Sequence, residues 1–313
     1  MPFGQRYSSN QHLKHEKYKL RDRYMTQMPQ KDSFQPIIYT PDSQMRTPVR
    51  LVRQTWRDLK DSKRLAWRLF LRDFSAKYRQ SILGVFWAFV PPILVGLIFI
   101  VLQSRKIINI SETDIPYPVF ALVGTTHWQL FTESLNAPLI SVKAAKPILS
   151  KIKIPYEALL LSAFYNVLFN FLIKAIVLAG ILIFFKVKLT IGILLALLAI
   201  LLLILLGIAI GLLLTPIGML YTDISSGLPV IIQLWFFLTP VVYPPPKSFP
   251  FSLLGTLNPV SPIITASRDL ITKGYITNFQ PLFIIATLSI IILAIAWLAY
   301  RISLPIIIER MSA

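Results

Sequence analysis

The side chains in this chain that could do chemistry are cations and aromatic rings. Only three histidines occur, His12, His15 and His127, and there is no cysteine. That excludes disulfides, thiolate metal sites and a cysteine nucleophile. No two carboxylates sit at a spacing suited to acid–base work, and no glycine-rich phosphate loop of the GxxxxGK type is present. The expectation is a protein that is not an enzyme and holds no metal or cofactor of its own. If ATP drives it, ATP and magnesium bind on a separate subunit.

Three groups of residues remain. Lys174 falls inside a long apolar run, where a charge is costly and faces the interior of a helix bundle or water. It fits either a contact to an anionic substrate or a structural pair with Glu133, Asn166 or Asn170. Basic residues recur at Arg64, Arg68, Arg72, Lys77 and Arg79, and again at Lys143, Lys146, Lys151 and Lys153. Aromatics gather at Phe86, Trp87 and Phe89, at Tyr117, Trp128 and Phe131, and at Trp235, Phe236 and Tyr243. One by one, these fit the aromatic belt at lipid headgroups. As a set they also suit a sugar pathway, because rings offer broad apolar contact without fixed hydrogen-bond geometry.

The elements that must position these groups are membrane helices. The chain has 313 residues, 55% hydrophobic and 15% charged, with a mean hydropathy of +0.62. Such a balance suits bilayer-spanning helices of about 20 apolar residues each. Charge is uneven: residues 1–80 hold 18 Lys and Arg against 7 Asp and Glu, so 11 of the formal +18 fall in the first quarter. In a membrane protein that excess marks cytosolic segments and does not point to nucleic acid. No cleavable signal peptide is visible, and the first apolar span reads as a permanent anchor.

Residues 1–62 read as a polar cytosolic tail and 63–313 as the transmembrane domain. Over 63–80, Trp67, Phe70, Leu71, Phe74 and Tyr78 keep helical spacing, with Arg64, Arg68 and Arg72 on another face. A helix of this kind lies in the headgroup plane or packs on a partner protein. Six spans are expected, at about 81–103 (kinked by Pro91 and Pro92), 117–135, 158–185, 191–219, 224–243 (ended by Pro244, Pro245 and Pro246) and 281–308. The basic tail and a basic 141–156 loop place both termini in the cytosol. Residues 244–280 fit either two short helices dipping back into the membrane or an amphipathic surface loop. The fold class is thus an all-α membrane protein with six transmembrane helices, an N-terminal amphipathic interface helix and short re-entrant gate helices after the fifth span.

Four stretches together resemble the membrane subunit of ABC-2-type polysaccharide exporters, the permeases for O-antigen, capsule and teichoic acid. They are Lys77 to Trp87 followed by Pro91 and Pro92; Tyr117 to Phe131; Lys151 to Tyr156; and Tyr221 to Ser225 leading to Thr239 to Pro244 and Asn258-Pro259. The resemblance covers roughly residues 50–313. It implies a homodimer with two copies of an ABC ATPase subunit, a lipid-linked polysaccharide substrate and a cytoplasmic (inner) membrane location. Residues 64–80 and 141–156 would then transmit the ATPase motion, and 244–275 would gate the outer side. Rival expectations are an ABC-2 permease for a lipid or drug, a secondary carrier, and a membrane glycosyltransferase. The scarcity of buried carboxylates weighs against the carrier.

Overall fold

The computed structural model describes residues 58–79, 81–105, 113, 115–149, 154–187, 190–245, 255 and 257–312. Most of the 1–62 tail, Lys151, Lys153 and residues 246–254 lie outside the described residues. Regular structure among those described is helical throughout: α1 (Lys63–Tyr78), a 3-10 turn (Gly84–Ala88), α2 (Val90–Ser104), α3 (Tyr117–Leu149), α4 (Tyr156–Phe184), α5 (Gly192–Leu220), α6 (Thr222–Leu238), α7 (Val260–Thr272) and α8 (Phe279–Ser312). Four stretches are long and apolar enough to cross a membrane: Gly84–Ser104, Tyr156–Phe184, Gly192–Leu220 and Phe279–Glu309. Helix α6 is apolar but shorter, at 17 residues. Helix α3 is longer, at 33 residues, and carries more polar groups.

Helix α5 is the hub, packing on α3, α8, α7 and α6. In lipid, burying a leucine against another leucine gains little, so helices associate through close backbone approach. Helix α5 has the small residues for it. Gly207 lies against Phe131 and Ser134 of α3, Gly211 against Leu135 and Pro138, and Gly218 against Leu139. A side chain at Gly207 or Gly211 would meet the α3 backbone and push the two helices apart, whereas one at Gly218 would meet the Leu139 side chain. The two largest of the apolar cores that result both include α3. One joins Phe131 and Leu135 of α3 with Leu203 of α5 and Ile263 and Ile264 of α7. The other joins Ala66 and Leu69 of α1 with Val142 and Ala145 of α3 and Leu304 of α8.

Four expectations change. Pro91 and Pro92 do not kink the first span; they occupy the first turn of α2, where their missing N–H groups leave nothing unpaired. The 3-10 turn before it carries Gly84 at φ +53°, a conformation that glycine adopts at little cost. The fifth span ends at Leu238, not at the triple proline. Thr239 is already extended (φ −101°, ψ 133°), as expected of the residue before Pro240. The second span does not stop near residue 135. Leu139, Val142, Ala145 and Leu149 continue its buried stripe, so the expected 141–156 loop is helix as far as Leu149.

The fourth change concerns α1. Its buried face is Ala66, Leu69 and Phe70, while Trp67 and Leu71 are exposed. That face packs on α4 of the same chain. Phe70 lies 6.2 Å from both Tyr165 and Phe169, and Phe74 lies 4.8 Å from Phe169 edge-on. Such offset and edge-on ring pairs add to burial.

Candidate functional site

Several of the aromatic side chains singled out from the sequence converge between α3 and α6, beside α2. Trp128 and Phe131, one turn apart on α3, meet Trp235 and Phe236 of α6. The Trp128 ring lies 6.2 Å from Trp235 and 5.8 Å from Phe236, and Phe131 lies 5.2 Å from Trp235, all roughly edge-to-face. A groove of about 290 Å³ opens beside them, lined by Val95, Ile98 and Phe99 of α2, Thr125, Trp128 and Gln129 of α3, and Phe236. Four of the nine aromatics singled out from the sequence thus come together.

The others do not join this cluster. Phe86 and Trp87 are exposed on the 3-10 turn, with Phe89 just after it. Tyr117 is buried against Phe99, 6.0 Å away. The Tyr243 hydroxyl donates to the Phe237 carbonyl at 2.8 Å.

The cluster is tied to α7 by Asn258. Trp235 Nε1 donates to Asn258 Oδ1 (3.1 Å), and the same oxygen accepts from Val260 N (3.1 Å), an Asx turn leading into α7. Asn258 Nδ2 donates to Thr239 Oγ1 at 2.7 Å. One amide therefore holds the α6 indole, the end of α6 and the start of α7.

Helix α7 is buried along nearly its whole length, including Ser267, Arg268 and Asp269. The residues missed from the sequence lie here. Arg268 Nη2 donates to Val241 O at 2.7 Å, and its guanidinium sits 3.6 Å over the Phe120 ring. The approach works because Gly124 presents no side chain to Val241 or Arg268. One turn along α3, His127 Nε2 lies 2.7 Å from Ser267 Oγ and Nδ1 lies 2.6 Å from Val123 O. A lone arginine in the apolar 260–272 run was a usable signal. Its partners, far away in sequence, were not.

Lys174 of α4 is paired with Glu133 of α3. Of the alternatives open for this lysine, the pair with Glu133 is the one formed. Glu133 Oε2 finds no hydrogen-bond partner.

Arg64, Arg68, Arg72, Lys77 and Arg79 are all exposed along α1. Arg72 pairs with the adjacent Asp73 at 2.7 Å, and Lys77 lies 5.3 Å over the Tyr78 ring. Lys143 donates to Ser225 on α6, and Lys146 is exposed. A further ionic cluster anchors the segment leading into α1. Arg301 of α8 contacts Asp58 at 2.7 Å and Glu157 of α4 at 3.8 Å. No three His, Asp or Glu side chains gather for a metal among the described residues.

The family model described as "ABC-2 type transporter" matches residues 64–272. The chain is 26% identical over 249 residues to the O-antigen export system permease protein RfbA of Myxococcus xanthus, covering 78% of this chain and 93% of that protein. It is 24% identical over 230 residues to the protein of the same name from Klebsiella pneumoniae, covering 71% and 85%. The polysialic acid transport protein KpsM of Escherichia coli is 26% identical over 242 residues, covering 74% and 91%.

Proposed function

This chain belongs to the ABC-2 type transporter family, and on that premise we propose that it is the permease subunit of an ATP-driven exporter of a lipid-linked polysaccharide. The observation that carries the reading is the aromatic groove between α2, α3 and α6, coupled through Asn258 to α7. Edge-to-face rings give a sugar chain apolar contact without fixed bonds, so it can slide. Relatives named for O-antigen and polysialic acid transport, matched over most of their length, support this cargo class.

In this reading α2, α3, α4, α5, α6 and α8 are six spans of a multi-pass protein in the cytoplasmic membrane, with both termini in the cytosol. Two copies form a homodimer around the pathway, and two copies of a separate ATPase subunit bind ATP and magnesium. Exposed Arg64, Arg68, Arg72, Lys77 and Arg79 hold α1 to anionic headgroups, at about 1 kcal/mol each. Lys143 and Lys146, with Lys151 and Lys153, border the ATPase contact. Helix α7 is the described part of the outer gate.

The test is purification from native membranes. A co-isolated ATPase subunit with vanadate-sensitive hydrolysis, together with loss of a surface polysaccharide when the chain is deleted, is the expected result. Isolation as a lone active carrier driven by a proton gradient overturns the reading.

A further inference from the structure

The permease reading leaves the cargo's charge open, and a row of side chains within the bundle bears on it. On α3, Gln129, Thr132, Glu133 and Asn136 follow i, i+3, i+4, i+7 and so share a face. On α4, Asn166, Asn170 and Lys174 recur every fourth residue. The two rows meet where Lys174 donates to Glu133. Running from that pair toward the 150–155 connection, they place Asn136 and Asn170 at about the same height.

All of these except Lys174 are half-buried, with part of each side chain left open. Polar groups at this depth do not face hydrocarbon; they face a neighbour or a wet cavity. Their bonds within the protein leave capacity to spare. Asn136 and Asn166 each donate Nδ2 back to their own helix, at Thr132 O (2.8 Å) and Ser162 O (3.1 Å). Glu133 Oε2 is unpartnered. Gln129 also lines the aromatic groove beside Trp128, so the row opens into it.

The face has no net charge, because Lys174 and Glu133 cancel. The next cation along α3, Lys143, is nearly three turns beyond Glu133, bonded to Ser225 close to the α5–α6 turn. A polyanion passing from Asn136 to Gln129 would find no spare cation on this face, because Lys174 is engaged by Glu133. Sugar hydroxyls both donate and accept, which matches the part-open amide groups of Gln129, Asn136 and Asn170. Resting on the permease reading, we infer that this face of α3 and α4 is the contact surface for an uncharged, hydroxyl-rich glycan chain.

Two measurements on cells carrying the full transporter test it. In the first, the polysaccharide lost on deleting the chain is hydrolysed and its sugars identified. Neutral repeat units are expected. A repeat unit bearing a carboxylate, sialic acid or phosphate overturns the inference while leaving the permease reading intact. In the second, Gln129→Leu, Asn136→Leu and Asn170→Leu are made singly, with membrane levels followed by immunoblot. At least a tenfold drop in surface polymer at unchanged protein level is expected for two of the three. Wild-type export by all three overturns the inference. If deletion of the chain removes no surface polysaccharide, the permease reading itself falls.

Discussion

Arg301 and Asp58, 243 residues apart in the chain, lie 2.7 Å from each other. The same guanidinium reaches Glu157 at 3.8 Å. The segment entering α1, the first turn of α4 and the last third of α8 are thereby fixed to one cation. Arg301→Gln leaves two carboxylates facing each other with little water. The expected cost is about 2–3 kcal/mol, below the fully buried figure because Asp58 keeps some solvent access. It is read as a fall in thermal stability in detergent. Asp58→Asn combined with Arg301→Gln should cost less than the two single changes added; strict additivity would refute the coupling.

The Arg268 contact predicts a site where lysine does not substitute for arginine. A cation–π contact removed from water is worth about 2 kcal/mol, and the planar guanidinium both covers the Phe120 ring and reaches the Val241 carbonyl. Arg268→Lys keeps the charge but loses that shape. We expect a lower melting temperature for Arg268→Lys and for Phe120→Leu, with the double change close to either single one.

Asn258→Ala removes the Asx turn that leads into α7 and its ties to Trp235 and Thr239 at one stroke. Each lost hydrogen bond costs about 1 kcal/mol, and the indole N–H left without a partner adds to it. Hydrogen exchange should quicken first in residues 260–264. Unchanged protection there would show that α7 is held by its apolar packing alone.

Close backbone approach makes Gly211→Val a severe change. The new side chain would meet Leu135 and Pro138 of α3, and overpacking costs about 1–3 kcal/mol or more where backbone is the obstacle. The expected outcome is loss of folded protein from the membrane. The same substitution at Gly180, where nothing lies within 4 Å, should be tolerated.

The orientation can be read with single cysteines, since the chain has none. Lys146→Cys and Tyr275→Cys are at exposed positions. A membrane-impermeant thiol reagent applied outside should label position 275 and spare 146. The opposite pattern inverts the topology.

Much of this architecture is legible in the sequence where one physical rule dominates locally. Apolar length located the four stretches long enough to cross a membrane, and amphipathic spacing located α1. The rotation of α1 was not legible, because Trp67 and Phe70 look alike until Tyr165 and Phe169 are placed beside them. The proline pairs misled for a related reason. Pro91 and Pro92 break a helix only if one precedes them, and a 3-10 turn does instead. The aromatic groove was half visible: Trp128, Phe131, Trp235 and Phe236 converge, while Phe86 and Trp87 have the same composition and do not. The Arg268 contacts needed knowledge of which helix lies opposite, and no local pattern carries that.

Helix α3 runs unbroken for 33 residues, about 50 Å at 1.5 Å per residue. Near one end it meets α7 through Phe120 and His127; near the other it carries Lys143 and Lys146. Glu133, midway, ties it to α4. A rod held at its middle cannot swing at one end without a countermovement at the other. Pro138, just past the middle, and Pro147, near the far end, each remove one backbone bond, so any bending concentrates at those two points. The helix therefore has two places where it bends most easily, one near its middle and one beside Lys146, and its contacts with α7 lie on the far side of both.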